Sequence, residues 1–199
     1  TGYTIGQSQY SNDVRKFARG EGLGVSKYVL WDGNTTAYDG WLAAEEQISI
    51  VSSSAEDAVG GTGCSYLEFT GQNEAGIEST YSVTLTGVTP VLVPVTSMYN
   101  IIYTANCKKE DALLALPTST ANAGTITISS VTTSKTMAII NIGLGRTQMM
   151  LWRCPSDKYA ELHQVSISPD ASKPLLAQIW KRSSITESWV CVSQIDIDS

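Results

Sequence analysis

The stretch TYSVTLTG, residues 80–87, decides how the chain is read. Tyr81, Val83 and Leu85 alternate with Ser82, Thr84 and Thr86, a period of two that puts the large side chains on one face of an extended backbone. A helix would scatter them around its circumference. On either side, TGQNEAGIES (70–79) and LTGVTP (85–90) supply the Gly, Asn and Pro that turns require. The same alternation recurs in QISIV (47–51), with Ile48 and Ile50 on one side, and in GTITIS (124–129), with Ile126 and Ile128. These are strands with one dry face and one wet face.

Further along, TMAIINIG (136–143) and TQMMLW (147–152) are apolar at both parities and predict strands buried on two sides. In YAELHQVSIS (159–168) Leu162 falls on one parity and Val165 and Ile167 on the other, which predicts a β-bulge near His163 and Gln164. PLLAQIWKRSSITESWVCV (174–192) reads as a closing hairpin turning at SSITES. KKEDALLALPTSTANAG (108–124) breaks the pattern and reads as a helical turn before Pro117 or a long protruding loop. About ten strands at roughly ten-residue spacing, without alternating helices, predict an all-β fold, a β-sandwich or jelly-roll-like architecture.

The beginning differs. SNDVRKFARG (11–20) offers Ser11 or Asn12 as an N-cap, Val14, Phe17 and Ala18 on one face and Gly20 as a stop, which predicts one short helix over 12–19. Around it lie Gly-rich, irregular segments, ARGEGLG and WDGNTTAYDGW. Residues 1–45 are therefore read as an extended N-terminal arm and 46–199 as the β-sandwich domain, with 105–123 as the place where it would divide into two subdomains. Arg15, Lys16 and Arg19, with Phe17 among them, make the arm locally basic and mark it as a contact for a neighbouring subunit. A solvated helix face is the plainer reading of the same charges.

Composition narrows the function. Thirteen Lys and Arg against 19 Asp and Glu give a net charge of -6, the wrong balance for a general grip on nucleic acid. No apolar run approaches the ~20 residues that span a bilayer, so no membrane partner is expected. Cys64, Cys107, Cys154 and Cys191 lack the close spacing of zinc or redox motifs and read as buried thiols made in a reducing cytoplasm, with a disulfide framework of three possible pairings as the alternative. A chain with His163 as its single histidine and no Gly-x-Ser-x-Gly elbow is a poor candidate for nucleophilic catalysis.

Other chemistry is equally sparse. Asp32, Asp39, Glu56 and Asp57 are loop acids that calcium would need to gather, and solvated turn acids are the simpler reading. Glu45, Glu46, Glu68, Glu74 and Glu78 are glycosidase candidates only as any acid is, and Glu45 and Glu46, being adjacent, point to opposite faces. GLGR at Gly143 lacks the Lys-Ser/Thr continuation of a phosphate loop. No catalytic residue, metal ligand or cofactor is expected. Among the five tryptophans, Trp31 and Trp41 stand in loop-like surroundings and are the candidates for stacking on a sugar.

The order of several stretches carries a resemblance over nearly the full chain: GYTIGQSQYSN, WLAAEEQISIVSSSAEDAVGGTG, GQNEAGIESTYSVTLTGVTPV, NAGTITISS and GLGRTQMMLWRCPSDKYAELHQVSIS. Together they resemble an uncharacterised family of virion structural proteins encoded by tailed, often marine, bacteriophages. The resemblance implies placement in the virion after synthesis in the host cytoplasm, β-sandwich modules and no enzymatic residues. The expected function is a non-enzymatic capsid decoration or cement protein, or a small head projection, forming a homo-oligomer, with a trimer favoured, against major capsid or other virion proteins. The alternative is a carbohydrate- or host-receptor-binding β-sandwich module of a tail or fibre. The loop NCKKEDALLALPTSTA is longer and more charged than its counterpart in that family.

Overall fold

The computed structural model describes residues 30–32, 38–93, 99, 101–111, 116–154, 165, 167, 175–183, 187–188 and 190–197. These residues are all-β, with no helix among them. The strands are β1 (Ile48–Ser52), β2 (Tyr66–Gln72), β3 (Glu78–Thr84), β4 (Val91–Leu92), β5 (Ile101–Asp111), β6 (Leu116–Ser119), β7 (Ile126–Ser130), β8 (Thr136–Ile140), β9 (Leu175–Lys181) and β10 (Val190–Ile197). Eight of them build two four-stranded sheets, ordered β4-β1-β7-β8 and β3-β2-β5-β6, while β9 and β10 form a two-stranded sheet. Every ladder is antiparallel. The expected helix over 12–19 and the expected bulge at His163 and Gln164 lie outside the described residues.

Period-two alternation becomes burial as expected. Ile48 and Ile50 of β1, Ile126 and Ile128 of β7, Leu67 and Phe69 of β2, and Val83 of β3 all enter one buried cluster. Ile102, Ala105 and Cys107 of β5 join it, so both four-stranded sheets feed the same core. Each large side chain there contributes about 1.5–3 kcal/mol by leaving water. In β8, Met137, Ala138 and Ile140 are buried while Ile139 is only half-buried. Adjacent burial of Met137 and Ala138 accompanies a register shift against β7 between Ile128 and Ser129.

The chain from β1 to β4 is one long hairpin folded across the two sheets. Its tip pairs as β2 with β3, its base as β1 with β4, and Ala58 pairs with Thr86 where the two arms cross between sheets. The Ser52 N–H donates to the Gly87 carbonyl at 3.0 Å and the Leu85 N–H to that of Ser65 at 2.9 Å, so pairing continues through the bend. Gly87 has φ +71 and a Cβ there would press on the Ala55 backbone, so both its conformation and its surroundings require glycine.

Two segments depart from expectation. In the segment 108–124, expected as a helical turn or a loop, β5 and β6 pair from Lys108↔Ser119 to Asp111↔Leu116, while 112–115, ahead of Pro117, lie outside the described residues. Lys, Glu and Leu favour helix in isolation, but at Lys108–Glu110 and Leu116 the edge of β5 offers a ladder and tertiary pairing wins. Pro117 is tolerated because β6 is an edge strand. TQMMLW (147–152) is not a doubly buried sheet strand. Residues 145–147 run beside β5 beyond the end of β6, with Cys107 N–H to Gly145 O at 2.7 Å and Thr147 N–H to Ala105 O at 2.9 Å. Met149 is then buried while Met150 is 45% exposed.

The leader residues that are described pack on the body. Trp31, Tyr38 and Leu42 belong to the buried cluster, and the Met150 N–H donates to the Leu30 carbonyl at 3.0 Å. The core therefore draws on both sides of residue 45.

Candidate functional site

The densest polar constellation lies at the crossing of the long hairpin. Asp57 is fully buried and its carboxylate accepts four hydrogen bonds. Oδ1 receives the Cys64 and Ala123 N–H groups, each at 2.8 Å, and Oδ2 receives the Gly124 N–H at 2.8 Å and the Ser52 hydroxyl at 2.6 Å. Its carbonyl takes the Gly87 N–H at 2.9 Å. One side chain thus ties the end of β1, the approach to β2 and the approach to β7. Gly63 makes room for it, since a Cβ at that position would collide with Asp57 Oδ1. A carboxylate whose lone pairs all face donors is an anion already neutralised by dipoles and has nothing left for a cation.

Asn122 continues this knot. Its Nδ2 donates to the carbonyls of Gly124 at 2.5 Å, Asn141 at 3.0 Å and Ile140 at 3.1 Å, and its Oδ1 accepts the Gly145 N–H at 2.9 Å. It joins the approach to β7 to the exit from β8. Both groups are buried and hydrogen-bonded to main chain, the arrangement expected of polar side chains that specify a fold.

Asp39 is exposed, while Asp32 and Glu56 also hold backbone. Asp32 Oδ2 accepts the Gln148 N–H at 3.1 Å, and Glu56 Oε2 accepts the Thr62 N–H at 2.9 Å. Hydrogen bonds from the Thr62 backbone and hydroxyl hold the Glu56 carboxyl below its ordinary range. Glu45 and Glu46 do serve different sides: Glu45 Oε1 accepts the Glu74 N–H in the β2–β3 turn, and Glu46 Oε2 accepts the Thr132 and Thr133 N–H groups in the β7–β8 turn. Desolvation pushes the Glu46 carboxyl up, but hydrogen bonds from Thr133, Thr132 and Ser130 together outweigh it and hold the group below its ordinary range.

Trp31 and Trp41 come together around Tyr38. Trp31 meets Tyr38 edge-on at 5.0 Å and Tyr38 meets Trp41 edge-on at 5.5 Å. The Tyr38 hydroxyl donates to the Met137 carbonyl at 2.7 Å, and burial, with Asp39 nearby, pushes its ionisation well above the ordinary range. Trp31 is 5% exposed, so its ring is core and not a platform. Trp41 is half-buried, and the Arg182 guanidinium lies 4.7 Å from its ring centre. Arg15, Lys16, Phe17, Arg19 and His163 lie outside the described residues. Cys64 and Cys107 are buried as expected, but Cys154 is half-buried and Cys191 exposed.

Two surfaces remain. An open groove of about 330 Å³ on the β4-β1-β7-β8 sheet is lined by Ser49, Leu92, Ser129, Ser130, Val131 and Ser134, hydroxyls and aliphatics with no acid or base among them. The β9–β10 hairpin is the other. Leu176, Trp180, Val190 and Val192 on it are 39–56% exposed, and each of its strands pairs on one edge only among the described residues. No metal-holding group of three or more His, Cys, Asp or Glu occurs among the described residues, and no helix among them is long and apolar enough to cross a membrane. The chain matches no family model, no curated protein and no solved structure.

Proposed function

We propose that the chain is a non-enzymatic structural component of a phage virion, a capsid decoration or cement protein or a small head projection, held in place by contacts with copies of itself and with neighbouring virion proteins. The observation that carries this reading is the β9–β10 hairpin. Two strands alone are marginal in water, and on these Leu176, Val190 and Val192 are 48–56% exposed while each strand pairs on one edge only among the described residues. A second copy of the hairpin would cover these exposed side chains and extend the ladder, and a homo-oligomer is the assembly that fits. The location rests on the resemblance of several sequence stretches, in their order, to virion structural proteins.

A β-sandwich is the reading of the body that its shared core supports. The folded hairpin β1 to β4, with its base in one sheet and its tip in the other, is the elementary step of a jelly roll. The carbohydrate-binding alternative is weakened by the burial of Trp31 and by the arginine over Trp41. Quantitative mass spectrometry of purified particles tests the proposal. Hundreds of copies per particle fit lattice decoration and a dozen or fewer fit a vertex or tail position. Absence from the particle would overturn the reading.

A further inference from the structure

Each four-stranded sheet ends in two outer strands, and three of these four are shielded. β4 is two residues long, and β6 is four residues long with Pro117 in it. The leader lies along β8: the Tyr38 hydroxyl donates to the Met137 carbonyl at 2.7 Å, and a Cβ on Gly40 would collide with the Thr136 carbonyl. Short strands, proline and a covering segment are the devices by which sheet edges avoid stray pairing. β3 has none of them. Its seven residues, ESTYSVT, contain no Pro, Lys or Arg and pair with β2 without a register shift, and no strand lies on their other side among the described residues.

The ladder fixes which backbone groups of β3 are open. The Leu85 N–H donates to the Ser65 carbonyl at 2.9 Å and the Asn73 N–H to the Ile77 carbonyl at 3.0 Å, so the bonded pairs of β2 and β3 fall at odd-numbered residues. The alternate residues of an antiparallel strand turn N–H and C=O away from that partner, and here they are Glu78, Thr80, Ser82 and Thr84. All four are exposed. Tyr81, between them, is half-buried against Phe69, with ring centres 6.1 Å apart. Glu78 is the single charge on the strand.

We propose that the outer edge of β3 docks an extended segment of a different protein as an added strand. The segment supplies N–H and C=O partners to Glu78, Thr80, Ser82 and Thr84, a Lys or Arg opposite Glu78, and an apolar side chain beside Tyr81. A second copy of β3 fits less well. It brings no cation to Glu78, and its own exposed side chains are Glu, Ser and Thr while Val83 is buried, so such a pair gains hydrogen bonds and almost no apolar burial. The β9–β10 hairpin is a separate surface, and the inference does not rest on the virion reading.

The test pans random linear peptides of the length of β3 against the immobilised full chain, and follows amide exchange by NMR with the best binder. In the free chain Glu78, Thr80, Ser82 and Thr84 should exchange fast and Ser79, Tyr81 and Val83 slowly. Selected peptides should carry Lys or Arg at one end and slow exchange at the four fast positions. Ser82→Pro removes one outward N–H without touching the β2 ladder, and should weaken binding about tenfold or more. Glu78→Lys changes an exposed residue, spares the backbone, and should abolish selection of the basic residue. Failure to select any binder, protection elsewhere than on β3, or equal binding to either variant would overturn the inference. So would protection of the same four amides by raising the protein concentration alone, which assigns the edge to a second copy.

Discussion

The two-sheet body and the β9–β10 hairpin are made of similar strands and end in opposite states. In the body, Ile48, Ile50, Leu67, Phe69, Ile126 and Ile128 are at most 1% exposed, and the fully buried carboxylate of Asp57 has a donor for each of its lone-pair directions. In the hairpin, Leu176, Trp180, Val190 and Val192 are 39–56% exposed, and the β10 ladder slips at Cys191/Ser193. The contrast teaches where the chain spends its apolar surface. On the body's strands the large side chains are buried between two sheets and exposed ones such as Ile77, Val88 and Ile142 fall in its turns, whereas on the hairpin the exposed ones stand on the strands themselves.

The largest effect should come from cutting into the body from its leader. Removing residues 1–44 takes Trp31, Tyr38 and Leu42 from the buried cluster, and losses of this kind cost about 2–5 kcal/mol each against a total stability of roughly 5–15 kcal/mol. Such a truncation is expected to be unfolded by circular dichroism, whereas a cut after residue 29 preserves these contacts. Next comes Asp57→Asn, which sets an amide donor against N–H groups and strips acceptors from the rest. Urea unfolding should show a loss of about 3–5 kcal/mol with no change in the assembly of whatever remains folded.

A smaller effect depends on pH. The folded Glu46 carboxyl sits below its ordinary range, so its contribution is present at neutral pH and is lost as pH falls below about 4.5 toward the folded value. In Glu46→Gln, melting temperature followed from pH 7 downward should lack that component of the acid loss, and an unchanged profile would contradict the capping role. Smallest of all is Arg182→Ala, which removes the cation over Trp41 that links the turn end of the hairpin to the leader. It should cost about 0.5–1 kcal/mol and show as faster amide exchange in β9 and β10 with the body unchanged.

Much of this arrangement is legible in the chain itself, and the illegible part has a common cause. Strands β1, β3 and β7 and the closing hairpin show in Ile48/Ile50, Tyr81/Val83, Ile126/Ile128 and the run around SSITES, because alternation is local. The β5–β6 pairing is hidden, since Lys108, Lys109, Glu110 and Leu116 carry helix propensity and only the ladder along β5 makes them strand. Asp57 reads as one more turn acid because two of its donors, Ala123 and Gly124, lie 66 and 67 residues away. Trp31 looks like a loop residue for the same reason: what buries it belongs to the distant body, as the Met150–Leu30 bond shows. Local pattern reports faces of strands, while the partners that fill corners come from afar.

The most direct test compares the association state of the full chain with that of Leu176→Asp/Val190→Asp by sedimentation velocity across a range of concentrations, alongside melting curves. Both side chains are more than half exposed, so the substitutions should leave the melting temperature of the body nearly unchanged. The account predicts an oligomer for the full chain and a monomer for the variant. A full chain that stays monomeric at every concentration, or a variant that assembles as well as its parent, would contradict it.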